Sequence, residues 1–142
     1  MRISEILKSK GSGVFTMRPT ESVTAAVRTF RERGIGAIIV RETGGDIAGI
    51  VTERDVLNDL ADHGAETLAK SLSEVMSSVR VCAPDDKVRD VMGMMTLRRV
   101  RHAPVIDGGE LVGMISIGDL VKHQLDETEL EVNTMRDFAR AH

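Results

Sequence analysis

GIVTERD at residues 49–55 returns in altered form as GMISIGD at residues 113–119. Three features persist: a glycine, a hydroxyl residue three places on, and an aspartate three places after that. Working outward from the two copies, residues 14–60 lie over 79–125, with Val14 on Val79, Pro19 on Pro84, Val23 on Val88, Arg33 on Arg98 and Val40 on Val105. After a one-residue gap Gly44-Gly45 falls on Gly108-Gly109, and the lead-in ISEIL at 3–7 echoes LSEVM at 72–76. Self-similarity of this length marks an internal duplication.

Each copy reads as the same run of elements. A brief strand, VFTM or VRVC, is soon followed by a proline, which has no amide hydrogen for a ladder. Thr20 or Asp85 then starts a helix, apolar at 23, 26, 27 and 30 or at 88, 91, 92 and 95, which is helical spacing. Two strands follow, IGAIIV with IAGIVT and RHAPVI with LVGMIS, joined by the glycine-paired turns ETGGD and DGGE. RDVLNDL and GDLVKHQL supply a second helix. The expected fold is therefore α+β: two β-α-β-β-α repeats packed about a pseudo-two-fold axis with a cleft between them. About 60 residues alone would bury too little apolar area to stand by themselves.

Taken in sequence order, residues 1–60 form the first repeat with its N-terminal lead-in helix, and 61–78 the linker with a second lead-in helix. Residues 79–125 form the second repeat, and 126–142 a C-terminal helix. Val121, Leu125, Thr128, Val132, Met135 and Ala139 step by four and three, a heptad-like stripe. Two readings of the stripe stand: packing on its own chain, or a seam for self-association.

Composition narrows the function classes. The chain of 142 residues is 42% hydrophobic and 29% charged, with a net charge of −3. An acidic balance with three Phe, no Tyr and no Trp argues against nucleic acid as the main partner, since such surfaces need basic excess and stacking rings. Apolar runs such as AIIV at 37–40 are too short to span a bilayer, and MRISEILKSK has no apolar core of signal-peptide length. With one cysteine, Cys82, no internal disulfide is available, and a cytoplasmic setting without membrane attachment is expected. His63, His102, His123 and His142 show no metal-ligand spacing, so no metal site is expected. Gly34 of GIGA follows a helix and enters a strand, the reverse of a dinucleotide-binding turn, and reads as a helix C-cap. No acid–base or nucleophile–base constellation stands out, so no catalytic residue is assigned.

The two copies of G-x-x-(T/S)-x-x-D admit two uses. Thr52 and Ser116 sit where a strand turns into a helix and can act as N-caps. Asp55 and Asp119 then fall at the third helical position, where a carboxylate returns a bond to the cap. The same corner presents unpaired amides and a positive dipole end, which suit a phosphate, and a carboxylate whose oxygens suit the paired hydroxyls of a ribose. Capping and nucleotide binding are compatible.

The duplicated β-α-β-β-α order, the strands GAIIV and HAPVI, the doubled corner motif and the variant TERD resemble a tandem cystathionine-β-synthase (CBS) domain pair of the stand-alone bacterial kind. The resemblance covers residues 14–125. It implies a regulatory sensor of AMP, ADP, ATP, NAD(H) or S-adenosylmethionine, held in the inter-repeat cleft and tied to energy or redox state. It further implies a homodimer acting on a protein target that the sequence does not name. By position, Asp55 and Asp119 would hold ribose and Thr52 and Ser116 phosphate, while Thr16, Met17, Val81 and Cys82 would offer backbone groups to adenine. Gly36 and Ala37 face the same task in the first repeat as Arg101 and His102 in the second, and Arg54 stands where the second repeat has Gly118. These differences predict inequivalent sites. The alternative is a homodimeric scaffold whose corner motifs serve only as caps. An RNA surface at LRRVRH, 97–102, and an enzyme related to IMP dehydrogenase are the remaining options, the latter without room for a catalytic domain.

Overall fold

In a computed structural model the chain is described at residues 1–11 and 13–141, with Ala141 described by its backbone alone. It divides into two compact units, one running from Gly13 to Arg80, the other joining the N-terminal arm to the chain from Val81 onward. Each is α+β, as the repeat pattern requires.

In the first unit, α2 (Val23–Arg33) is followed by β2 (Ala37–Arg41) and β3 (Ile47–Thr52), an antiparallel hairpin. The short β1 (Thr16–Met17) pairs in parallel with β2, giving the order β1-β2-β3. The helix expected from Thr20 begins at Val23 instead. Ser22 is the cap, its hydroxyl accepting from the Ala25 amide at 3.1 Å, and Gly34 closes the helix in the left-handed conformation. Then come α3 (Glu53–His63), a 3₁₀ turn (Gly64–Ala69) and α4 (Leu72–Val75). Val23, Ala26 and Phe30 of α2 pack with Ile38, Val40, Val51, Val56 and Leu72 to make the core.

The second unit repeats the plan with local edits. Its helix α5 (Val88–Arg98) starts at Val88 rather than Asp85; Lys87 stands at the cap without a side-chain bond, and the Met1 carbonyl accepts from the Val88 amide at 3.0 Å. Arg99 takes the left-handed cap that Gly34 takes in the first unit. β4 (His102–Asp107) and β5 (Glu110–Ser116) form the hairpin. The expected strand VRVC shrinks to a single parallel bridge, Cys82 with Val105. In the first unit the Ile39 amide donates to the Phe15 carbonyl. The residue equivalent to Ile39 is Pro104, which has no hydrogen to donate, so the ladder stops there.

The second helix of this repeat and the expected C-terminal helix are one continuous element, α6 (Ile117–Ala141). In the first unit Gly64 ends α3, whereas the stretch after Gly118 holds neither glycine nor proline. Along α6 the stripe residues Val121, Leu125, Thr128, Val132, Met135 and Ala139 are all exposed, Leu125 by 63% and Met135 by 72%. The stripe does not pack on its own chain.

Packing does not follow sequence order at the lead-in helices. The first, α1 (Ile3–Lys10), joins the unit of the second repeat, where Ile3 and Ile6 are buried with Val88, Val91, Met95, Ile115 and Leu120. The second, α4, joins the unit of the first repeat through Leu72. Matching backbone bonds tie each one down. The Ile3 amide donates to Asp86 and the Ser4 amide to Pro84; the Leu72 amide donates to Glu21 and the Ser73 amide to Pro19.

Candidate functional site: two strand-to-helix corners

Gly49 and Gly113 are explained by these lead-ins. A Cβ on Gly49 would stand 2.8 Å from the Ser77 carbonyl oxygen and 2.9 Å from Met76 Sδ; one on Gly113 would stand 2.6 Å from Leu7 Cδ2. Met76 and Leu7 are the equivalent residues of the two lead-ins, so the glycine of each motif admits the lead-in against the sheet.

Three residues on, each strand turns into a helix. At the first corner the Thr52 hydroxyl accepts from the Asp55 amide at 3.2 Å and donates to Asp55 Oδ2 at 3.1 Å, while the Thr52 amide donates to the same oxygen at 2.9 Å. The Ser77 hydroxyl donates to Asp55 Oδ1 at 2.6 Å. At the second corner the Ser116 hydroxyl accepts from the Asp119 amide at 3.1 Å, and the Ser116 amide donates to Asp119 Oδ2 at 2.9 Å. Lys10 completes this corner, its Nζ in an ion pair with Asp119 Oδ2 and donating to the Met114 carbonyl at 2.9 Å. Burial acts to raise the Asp119 pKa, but the bonds from Lys10 and Ser116 outweigh it and hold the carboxyl below its ordinary value of 3.8.

The hairpins bring further candidates to these corners. Ala37 is paired with Thr52 and His102 with Ser116. The Gly36 carbonyl accepts from the Glu53 amide at 3.1 Å, and the Arg101 carbonyl from the Ile117 amide at 2.8 Å. Arg54 is exposed in the first turn of α3, where α6 has Gly118. Thr16 is exposed and Met17 buried on β1, placed two or three residues along β2 from the corner. Val81 is 53% exposed. Cys82 is buried, and both its backbone groups are engaged, its amide with Pro104 and its carbonyl with Ile106. Burial, with the Asp86 charge adding to it, pushes its thiol up to about 12, which disfavours the thiolate a nucleophile needs.

Two residues at the corners escaped the sequence reading, Lys10 and Ser77. Lys10 is the last residue of α1 and Ser77 lies just beyond α4, both outside the aligned repeats, and only the crossing of the lead-ins delivers them. Among the described residues no group of three or more His, Cys, Asp or Glu stands close enough to hold a metal ion; His142 lies outside them. No helix among them is long and apolar enough to cross a membrane.

The CBS domain family matches residues 3–62 and again 72–126, the two repeats with their lead-ins. The chain belongs to the CBS domain family. It is 38% identical to a CBS-domain-containing protein from Agrobacterium tumefaciens of known crystal structure, covering 87% of this chain and 92% of that one with a TM-score of 0.84. A CBS-domain protein from Burkholderia ambifaria is 39% identical, over 89% and 95%, with a TM-score of 0.83. A CBS domain protein from Pyrobaculum aerophilum complexed with AMP shares the fold at 23% identity and a TM-score of 0.74, over 84% of this chain and 89% of that one. The tandem CBS architecture expected from the repeats is thus established.

Proposed function

We propose that this CBS protein is a non-catalytic regulatory module that binds an adenine nucleotide, AMP or a relative such as ADP, ATP or NAD(H), at its two strand-to-helix corners. The observation that carries the reading is the doubled corner itself. Each joins a hydroxyl, the positive end of a helix and a carboxylate within one helical turn. In this reading Thr52 and Ser116 face phosphate and Asp55 and Asp119 face ribose. Arg54 in one repeat and Arg101 with His102 in the other make the sites unequal. The AMP complex of the Pyrobaculum relative supports the ligand class. Occupancy would act by its differential affinity for two conformations of a cytoplasmic homodimer, with the exposed stripe of α6 as the seam.

One observation favours a second reading, a scaffold in which the motifs are caps only. Both Asp55 oxygens already accept hydrogen bonds within the chain.

The test exploits composition. Without Tyr or Trp the protein has almost no aromatic absorbance, so a bound adenine stands out in the ultraviolet spectrum of the purified protein. Denaturation followed by mass spectrometry of the released molecules then names the ligand. The expected result is AMP or NAD(H), together with affinity for added AMP that falls more than about tenfold in Asp119→Ala, the loss of one charge-assisted bond. Unchanged affinity in Asp55→Ala and Asp119→Ala, with a lowered Tm, would establish the caps.

A further inference from the structure

We propose that Lys10 makes the second-repeat corner selective for phosphorylated over unphosphorylated nucleosides; this rests on the nucleotide reading above. The two corners differ in what occupies the aspartate. In the first, a neutral hydroxyl, Ser77, donates to Asp55. In the second, a cation, Lys10, pairs with Asp119. Lys10 Nζ shares Asp119 Oδ2 with the Ser116 amide, so it stands one carboxylate away from the hydroxyl and helix start where a phosphate would lie.

The chemistry follows from what ligand entry does to this pair. A ribose diol that takes both carboxylate oxygens must displace Lys10 from Oδ2. The side chain of Lys10 is 37% exposed and ends in a flexible stem, so the ammonium is free to swing. When the ligand carries a phosphate, the ammonium exchanges one anion for another of equal or greater charge, and a charge-assisted bond is kept. When the ligand is an uncharged nucleoside, the ion pair is broken without replacement. The Met114 carbonyl, its other acceptor, is a neutral group. Arg101, exposed, precedes His102, the residue paired with Ser116, and its carbonyl accepts from the Ile117 amide at the start of α6. The first corner makes no such demand, because displacing the Ser77 hydroxyl strands no charge.

Isothermal titration with AMP and with adenosine tests this, on an Asp55→Asn background that weakens the first corner. The expected preference of the Lys10-bearing protein for AMP is tenfold or more, roughly the value of one charge-assisted bond. Lys10→Met, which keeps an apolar stem, should weaken AMP and tighten adenosine, collapsing the ratio; Lys10→Arg should retain it. An AMP-to-adenosine ratio unchanged in Lys10→Met overturns the role of Lys10 while leaving the nucleotide reading intact. Failure of both AMP and adenosine to bind the wild-type chain overturns both.

Discussion

The motif glycines show how much one missing carbon decides. At Gly49 an added methyl meets the Ser77 backbone oxygen, which cannot rotate away, whereas at Gly113 it meets only the end of the Leu7 side chain. Gly49→Ala is therefore expected to destabilise by about 1–3 kcal/mol, and Gly113→Ala by less because Leu7 can change rotamer. Urea unfolding of the two variants measures the order. Asp119 gives a second residue-scale prediction. Its carboxyl is held below 3.8 in the folded chain, so its bonds add stability at any pH above the unfolded value and lose it as pH falls through the lower folded one. Asp119→Asn should lower stability at neutral pH, and its deficit against wild type should shrink well below pH 3.8. An equal deficit at both extremes would contradict the ion pair with Lys10. Asp119 was legible as a corner carboxylate from spacing alone; its partner was not, because nothing local ties Lys10 to it.

At the scale of elements, the crossing of the lead-ins has a sharp consequence. Ile3 precedes the first repeat in sequence yet is fully buried in the core of the second, and Leu72 precedes the second yet is fully buried in the core of the first. Either truncation to alanine should cost about 2–5 kcal/mol. Hydrogen exchange should place the lost protection across the chain order: from Val81 onward for Ile3→Ala, and within Gly13–Arg80 for Leu72→Ala. Loss confined to the neighbouring repeat in sequence would refute the exchange. Two further departures have causes visible in single residues. Pro104 removes the donor that a first strand in the second repeat needs, and the stretch after Gly118 contains nothing to stop α6 where Gly64 stops α3.

For the whole molecule, the exposed stripe on α6 is the seam proposed for self-association. Leu125→Glu with Met135→Glu is expected to abolish self-association in sedimentation velocity, because two charges on an apolar seam oppose its burial. Since neither side chain is buried in the single chain, the unfolding free energy at low protein concentration should stay within about 1 kcal/mol of wild type. A dimer that survives the double substitution would place the interface elsewhere. The nucleotide reading also belongs to this scale, since it needs two corners in one chain.

Periodicity and spacing alone determined the duplication, the α+β class, the hairpins and the two hydroxyl–carboxylate corners. Each is a short-range pattern: alternation along a strand, three- and four-residue steps along a helix, a cap and its third residue. Which lead-in packs on which repeat, and hence why Gly49 and Gly113 must lack a side chain and why Lys10 and Ser77 reach the aspartates, was decided only in the tertiary structure. Those choices depend on contacts between residues far apart in the chain, such as Lys10 with Asp119, and neither local periodicity nor cap spacing encodes them.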